Sequence, residues 1–260
     1  MGHMQHFSAG WVSPVLAYAM ACVGSALGLR CTVRALAADG RSRRNWLLTA
    51  SVAIGSGIWT MHFIAMLGFA VTGSPIRYDV LLTVLSLLVA MVVVGAGVFT
   101  VGHGAARLRS LLVGGLGTGI GVAAMHYLGM AAMRLHGQVG FDPGLVALSV
   151  VIAAGAATAA LWAALNVRGA LGAALASLVM GLAVCSMHYT GMAAVHIELT
   201  PSRAPLPGVT AMEFIFPLTV ILGSFLFLTV AFVALSPTAR ERAASASAES
   251  FREGELPTFS

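Results

Sequence analysis

Seven apolar runs, each long enough to cross a bilayer, dominate this chain. They are Trp11–Ala35, Trp46–Val71, Val80–Val101, Leu111–Met133, Leu145–Val167, Leu171–Ile197 and Met212–Leu235. A spanning helix takes about 20 mostly apolar residues, and every run meets that length. Inside the hydrocarbon layer each backbone N–H and C=O needs a partner within the protein, so the runs are read as seven transmembrane helices of an all-α membrane protein. The composition leaves little else. Of 260 residues, 58% are hydrophobic and 9% charged. So little polar surface does not cover a water-soluble globule of this size. The first run reads as a span and not as a signal peptide, because it is too long for the apolar core of one and no positive charge precedes it.

The charged residues fix an orientation. All fourteen cationic side chains besides histidine are arginine. Arg30, Arg34, Arg41, Arg43 and Arg44 flank the first loop, Arg107 and Arg109 lie in the third, Arg168 in the fifth, and Arg240, Arg242 and Arg252 follow the last run. Only Arg77, Arg134 and Arg203 occupy the even-numbered loops. By the positive-inside rule the N-terminus is expected outside and the C-terminus in the cytoplasm. The net charge of +5 therefore reports membrane anchoring and not a nucleic-acid partner. Three regions follow: an extracytoplasmic arm over residues 1–10, the membrane domain over 11–236, and a polar, disordered cytoplasmic tail over 237–260 that is too short for an output domain. The absence of lysine excludes Schiff-base chemistry with retinal or pyridoxal phosphate. Cys22, Cys31 and Cys185 are odd in number and form no CxxC pair, so no disulfide framework is signalled.

One pattern recurs three times: Met61-His62-Phe63-Ile64-Ala65-Met66, Met125-His126-Tyr127-Leu128-Gly129-Met130 and Met187-His188-Tyr189-Thr190-Gly191-Met192. The copies fall on the second, fourth and sixth spans, which run in one direction. The three histidines are therefore expected at one depth, about two turns or slightly more below the outer ends. Gly55, Gly119 and Gly181 each stand seven residues before a histidine, two turns away on the same face, where a neighbouring helix can approach closely. Arg77-Tyr78-Asp79 is echoed by Gly140-Phe141-Asp142, so the odd spans repeat too. The architecture is expected to be three two-helix units plus a seventh helix.

A histidine and the methionine four residues on share a helix face. His62 with Met66, His126 with Met130 and His188 with Met192 can each offer an imidazole nitrogen and a thioether. Met61, Met125 and Met187 are turned by about 100° and better placed to reach a neighbouring helix. Neutral imidazole with soft thioether, and no carboxylate, suits copper. Calcium and magnesium want oxygen ligands. Zinc would recruit thiolates or carboxylates, and only Cys185 is near, so zinc ranks lower; so does a haem held axially between two histidines. Most of the other histidines and methionines also gather toward the outer side. His3 and His6 are candidate ligands at the mouth of the site, or simply polar arm.

These residues resemble the MHYT domain, a bacterial integral membrane sensor domain with a triplicated Met-His-Tyr-Thr-type motif on alternate spans. The resemblance covers about residues 5–236, and one copy, Met187-His188-Tyr189-Thr190, is complete. It implies a multi-pass protein of the bacterial cell membrane. It implies copper bound through Met61, His62, Met125, His126, Met187 and His188, and a response to oxygen, carbon monoxide or nitric oxide. It also implies cytoplasmic signalling through cyclic-di-GMP enzymes or kinases, here expected on a separate protein.

Blander readings accompany the sharp ones. The three histidines are set down as metal ligands against simple interhelical hydrogen bonding. Tyr127 and Tyr189 are expected to make buried hydrogen bonds, and Cys185 to be a small core residue. Asp79 and Asp142 are expected to cap helices, with orientation of a metal-bound imidazole as their second reading; Glu213 is expected to match the dipole of the seventh helix, with the same second reading. No catalytic residue is assigned, and the chain is not expected to be an enzyme. Copper transport, and after it membrane redox catalysis, are the alternatives to sensing.

Overall fold

The computed structural model describes residues 4–6, 10–103, 107–167, 169–202 and 204–235. The tail from Ser236, His3, Arg168 and Arg203 lie outside the described residues. Seven helices form: α1 (Val12–Leu36), α2 (Gly40–Leu67), α3 (Val80–His103), α4 (Arg107–Ala131), α5 (Pro143–Asn166), α6 (Gly169–Ala193) and α7 (Phe216–Leu235), the last opened by a wide π-type turn over Ala211–Ile215. Among the described residues, seven helices are long and apolar enough to cross a membrane. Polarity is arranged as lipid demands. Large side chains such as Leu81, Val92, Val151 and Phe227 face outward, while the motif histidines are buried.

Helices α1 to α6 close into a ring, each packed on the next and α6 on α1, and α7 lies outside against α1 and α2. Between apolar helices in lipid, packing and not water exclusion selects the partners, so small residues mark the crossings. The three glycines at histidine minus seven do this in rotation. A Cβ on Gly55 would come within 2.7 Å of the Met91 Cα in α3. One on Gly119 would overlap the backbone of Ala154 in α5, and one on Gly181 would sit 2.6 Å from Cys22 Sγ in α1. Helix α1 thus holds beside α6 the place that α3 holds beside α2. Chain order alone would have put α7 there.

The second helix begins at Gly40, well before Trp46 where the apolar run was read to start. Arginine interrupts a hydropathy run but is a good helix former, so the helix extends through Arg41, Arg43 and Arg44. Gly40 at φ +54° permits the short turn from α1, and Arg43 donates to the Ala38 carbonyl at 2.8 Å.

At the histidine end the sequence reading also needs correction. The runs were extended to Val71, Met133 and Ile197, but the helices stop at Leu67, Ala131 and Ala193. The apolar residues beyond are short strands: β2 (Phe69–Val71), β4 (Met133–Arg134) and β6 (Val195–Leu199). They pair antiparallel with β1 (Met4–His6), β3 (Arg77–Tyr78) and β5 (Gly137–Phe141) respectively. An apolar run does not distinguish a last helical turn from a strand. Met133, read as a helical residue one turn above Met130, is therefore part of the cap. The backbone of His6 pairs with Phe69, so that part of the arm is fixed.

The echoed aspartates repeat in this cap. Asp79 N–H donates to the Ala132 carbonyl and Asp142 N–H to the Ala194 carbonyl, both at 2.8 Å. Their carboxylates cap α3 and α5, accepting from Leu82 N–H at 3.1 Å and Leu145 N–H at 2.9 Å. Glu213 and Thr210 form a reciprocal capping box before α7. Two arginines read as membrane anchors serve the cap as well: Arg134 pairs with Asp79 at 2.9 Å, and Arg77 donates to the Gly208 carbonyl at 2.8 Å. The Arg134 hydrogen bond, helped by Leu82 N–H, holds the Asp79 carboxyl below its usual range. A depressed carboxylate contributes stability above its unfolded pKa and loses it as pH falls through the folded value. Asp79→Asn is expected to lower the melting temperature near neutral pH, and that gap from wild type should close below about pH 4. Scanning fluorimetry in detergent across pH measures it.

Candidate metal centre

Each motif histidine sits five residues before the end of its helix, which makes the three ends of α2, α4 and α6 equivalent. They lie about one and a half turns below those ends, shallower than the sequence suggested, and the strand cap covers the added depth. The ring closure turns the three imidazoles toward one another. His62 Nδ1 is 3.0 Å from His188 Nδ1 and 3.2 Å from His126 Nδ1. The ring centroids are 4.9, 4.9 and 5.1 Å apart and every pair is edge-on. One nitrogen from each ring lies within 4.8 Å of the other two, and all three residues are buried.

Protons alone do not satisfy this cluster. A neutral imidazole has one N–H and one in-plane lone pair. His62 Nδ1 faces two other Nδ1 atoms and can pair well with only one. The outer nitrogens do not relieve the shortage: His62 Nε2 and His126 Nε2 are buried without a partner. A buried unsatisfied polar atom typically costs about 1–3 kcal/mol. A cation at the centre would take all three Nδ1 lone pairs at once. Nitrogens about 2.0 Å from a shared ion at tetrahedral angles stand about 3.3 Å apart, close to the 3.0 and 3.2 Å that separate His62 Nδ1 from the other two. The donor set therefore fits a metal ion. It does not fit haem, because Nδ1 atoms this close leave no slot for a macrocycle. Three neutral imidazoles also make an adequate zinc site, so the thiolate argument used against zinc loses force.

The six motif methionines, Met61, Met66, Met125, Met130, Met187 and Met192, are all buried in the apolar core of the bundle. The acids stay in their caps: Asp79, Asp142 and Glu213 bond backbone groups and Arg134, and among the described residues none joins the histidine cluster. Cys185 is buried outside the cluster, as a core residue. Tyr127, half-buried, shares a 2.7 Å hydrogen bond with Ser149. His103, His136 and His196 lie apart from the triad.

Two residues had no role in the sequence reading and prove to shape the site. A Cβ on Gly129 would lie 2.6 Å from His62 Nε2, and one on Gly191 would overlap His126 Nε2. Each motif glycine makes room for the imidazole of the preceding copy. The signal was present, since both stand three residues after a histidine, but nothing in one helix shows which neighbour it faces. Gly191→Ala is expected to displace His126 and weaken metal binding at least about 10-fold, the scale of lost supporting contacts at metal sites. Competition against a calibrated chelator reads this directly.

A family model described as "Bacterial signalling protein N terminal repeat", MHYT, matches residues 55–114, 119–177 and 181–246. Its units begin at Gly55, Gly119 and Gly181, the crossing glycines. Among curated proteins, the bifunctional diguanylate cyclase/cyclic di-GMP phosphodiesterase MucR of Pseudomonas aeruginosa is 40% identical over 69% of this chain and 27% of its own length. The cyclic di-GMP phosphodiesterase NbdA of the same organism is 41% identical over 63% of this chain and 21% of its own. The signaling protein YkoW of Bacillus subtilis is 27% identical over 72% and 24%. The chain thus spans about a quarter of the length of these relatives. No solved structure matches it.

Proposed function

The chain belongs to the MHYT family of bacterial signalling protein repeats, a multi-pass protein of the bacterial cell membrane, and on that premise we propose that it senses through a copper ion held by His62, His126 and His188. The observation that carries this reading is the convergence of three buried imidazoles, with His62 Nδ1 within 3.2 Å of the Nδ1 of each of the other two and two unpartnered Nε2 atoms behind them. Copper is preferred to zinc because Met61, Met66, Met125, Met130, Met187 and Met192, each buried and one residue before or four after a motif histidine, offer soft sulfur. When bound, copper would supply a redox-active centre able to take a diatomic ligand such as oxygen, carbon monoxide or nitric oxide.

The protein's own part is positioning. The glycine crossings hold three helices in one register, Gly129 and Gly191 admit the rings, and the strand cap shields them from bulk water. A change in which nitrogens are engaged shifts the balance between two packings of the ring, and only such a difference between states transmits a signal. The arginine-rich end of the bundle is oriented to the cytoplasm by the positive-inside rule, so the cap faces outward. The signal is then read at the cytoplasmic end by a signalling partner. Two relatives are by name cyclic di-GMP enzymes, and that activity is the output proposed here.

Purified protein loaded with copper should change its optical or paramagnetic resonance spectrum on exposure to oxygen, nitric oxide or carbon monoxide. Proteoliposomes holding the same protein should not accumulate copper. Uptake of copper with a gas-silent spectrum would replace sensing with transport.

A further inference from the structure

A cavity of about 60 Å³ lies inside the helix ring beneath the triad. Its wall repeats with the motif. Four residues before each histidine stand Ile58, Val122 and Val184, and four before those stand Ile54, Thr118 and Met180. The odd helices contribute equivalent positions too, among them Ser25, Val94 and Ala157, each three residues beyond the contact of a crossing glycine (Cys22, Met91, Ala154). The void exists because one wall is cut short: α5 presents alanines, including Ala157, where α3 presents Val94.

The chemistry of the wall selects the occupant. Water needs two to four polar partners. Of the eighteen lining residues only three carry hydroxyls: Ser25, Thr32, which donates to the Gly28 carbonyl at 2.8 Å, and Thr118, whose Oγ1 is buried with no partner. A charge or a strongly polar group would be stranded. An aromatic ring is too large, since an apolar cavity that accepts benzene measures about 150 Å³. A neutral molecule of two heavy atoms meets every constraint, and such gases concentrate in the hydrocarbon that bathes the outside of these helices.

We propose that this chamber binds a neutral diatomic gas one to two helical turns beneath the imidazoles, with Thr118 as its polar contact. Its relevance to signalling rests on the sensing role given above; its occupancy does not. The alanine wall sets the site aside for gas, and a larger side chain at Ala157 closes it.

Xenon is a suitable neutral, apolar probe of similar size. Crystals of the full chain under xenon pressure are expected to show one site in the chamber. The same site is expected in the variant with His62, His126 and His188 all changed to alanine, so a failure of metal binding leaves this result untouched. Ala157→Leu should abolish the xenon peak. Ala157→Val, which copies the residue on α3, should weaken it if the leucine variant does not fold. An empty chamber in the wild type, a chain of ordered waters in place of xenon, or an undiminished peak in the filled variant would overturn the proposal.

Discussion

Changing His62, His126 and His188 together to alanine is expected to reduce bound copper from about one equivalent per chain to the background level, because the metal takes its binding energy from these deprotonated nitrogens. Among the described residues they form the one cluster of histidine, cysteine or carboxylate able to hold an ion. Elemental analysis of detergent-purified protein beside wild type reads the effect. Equal metal in both would refute the assignment. A companion variant separates a metal site from a structural hydrogen-bond cluster. With leucine at all three positions, the unpartnered nitrogens are replaced by apolar groups of comparable bulk, a change that is nearly neutral or stabilising when whole polar sets are removed. The metal-free melting temperature should then hold or rise. A cluster kept for hydrogen bonding would lose stability instead.

Gly119→Ala carries the second large effect. The added methyl would overlap the Cα and N of Ala154, which are backbone atoms of α5 and cannot swing aside. Helices α4 and α5 must part or shift, and overpacking of this kind costs about 1–3 kcal/mol. A drop of several degrees in melting temperature is expected in detergent. Gly117 lies two residues away on the same helix, and a Cβ there would meet nothing within 4 Å. Gly117→Ala should therefore leave the melting temperature unchanged or slightly raised, since alanine is the better helix former. Similar losses in both variants would mean that the crossing is not where the ring is held.

Much of this was legible in the sequence because membrane insertion leaves strong periodic marks. Seven runs announced seven helices, and the spacing of the Met-His copies placed three histidines on parallel helices at one level. Crossing glycines at a fixed seven-residue offset announced close approach. What escaped has physical causes. The strand residues up to Val71, Met133 and Ile197 fall within the apolar runs, so hydropathy alone reads them as helix. The early start of α2 was hidden by arginines that end an apolar run without ending a helix. The place of α1 beside α6 is a tertiary fact: chain order favours α7, and the packing of α1 on α6, with Gly181 against Cys22, reveals the exchange. Gly129 and Gly191 were visible as letters of the motif, yet their role belongs to the neighbouring helix.

The central claim is that three imidazoles share one ion. X-ray absorption at the copper edge, on protein loaded with one equivalent in detergent, tests it most directly. The expected spectrum shows imidazole nitrogen scatterers at about 2.0 Å, the ordinary metal–imidazole distance, with a sulfur shell added by methionine. A spectrum without imidazole scattering, or one identical in the protein lacking His62, His126 and His188, would contradict it.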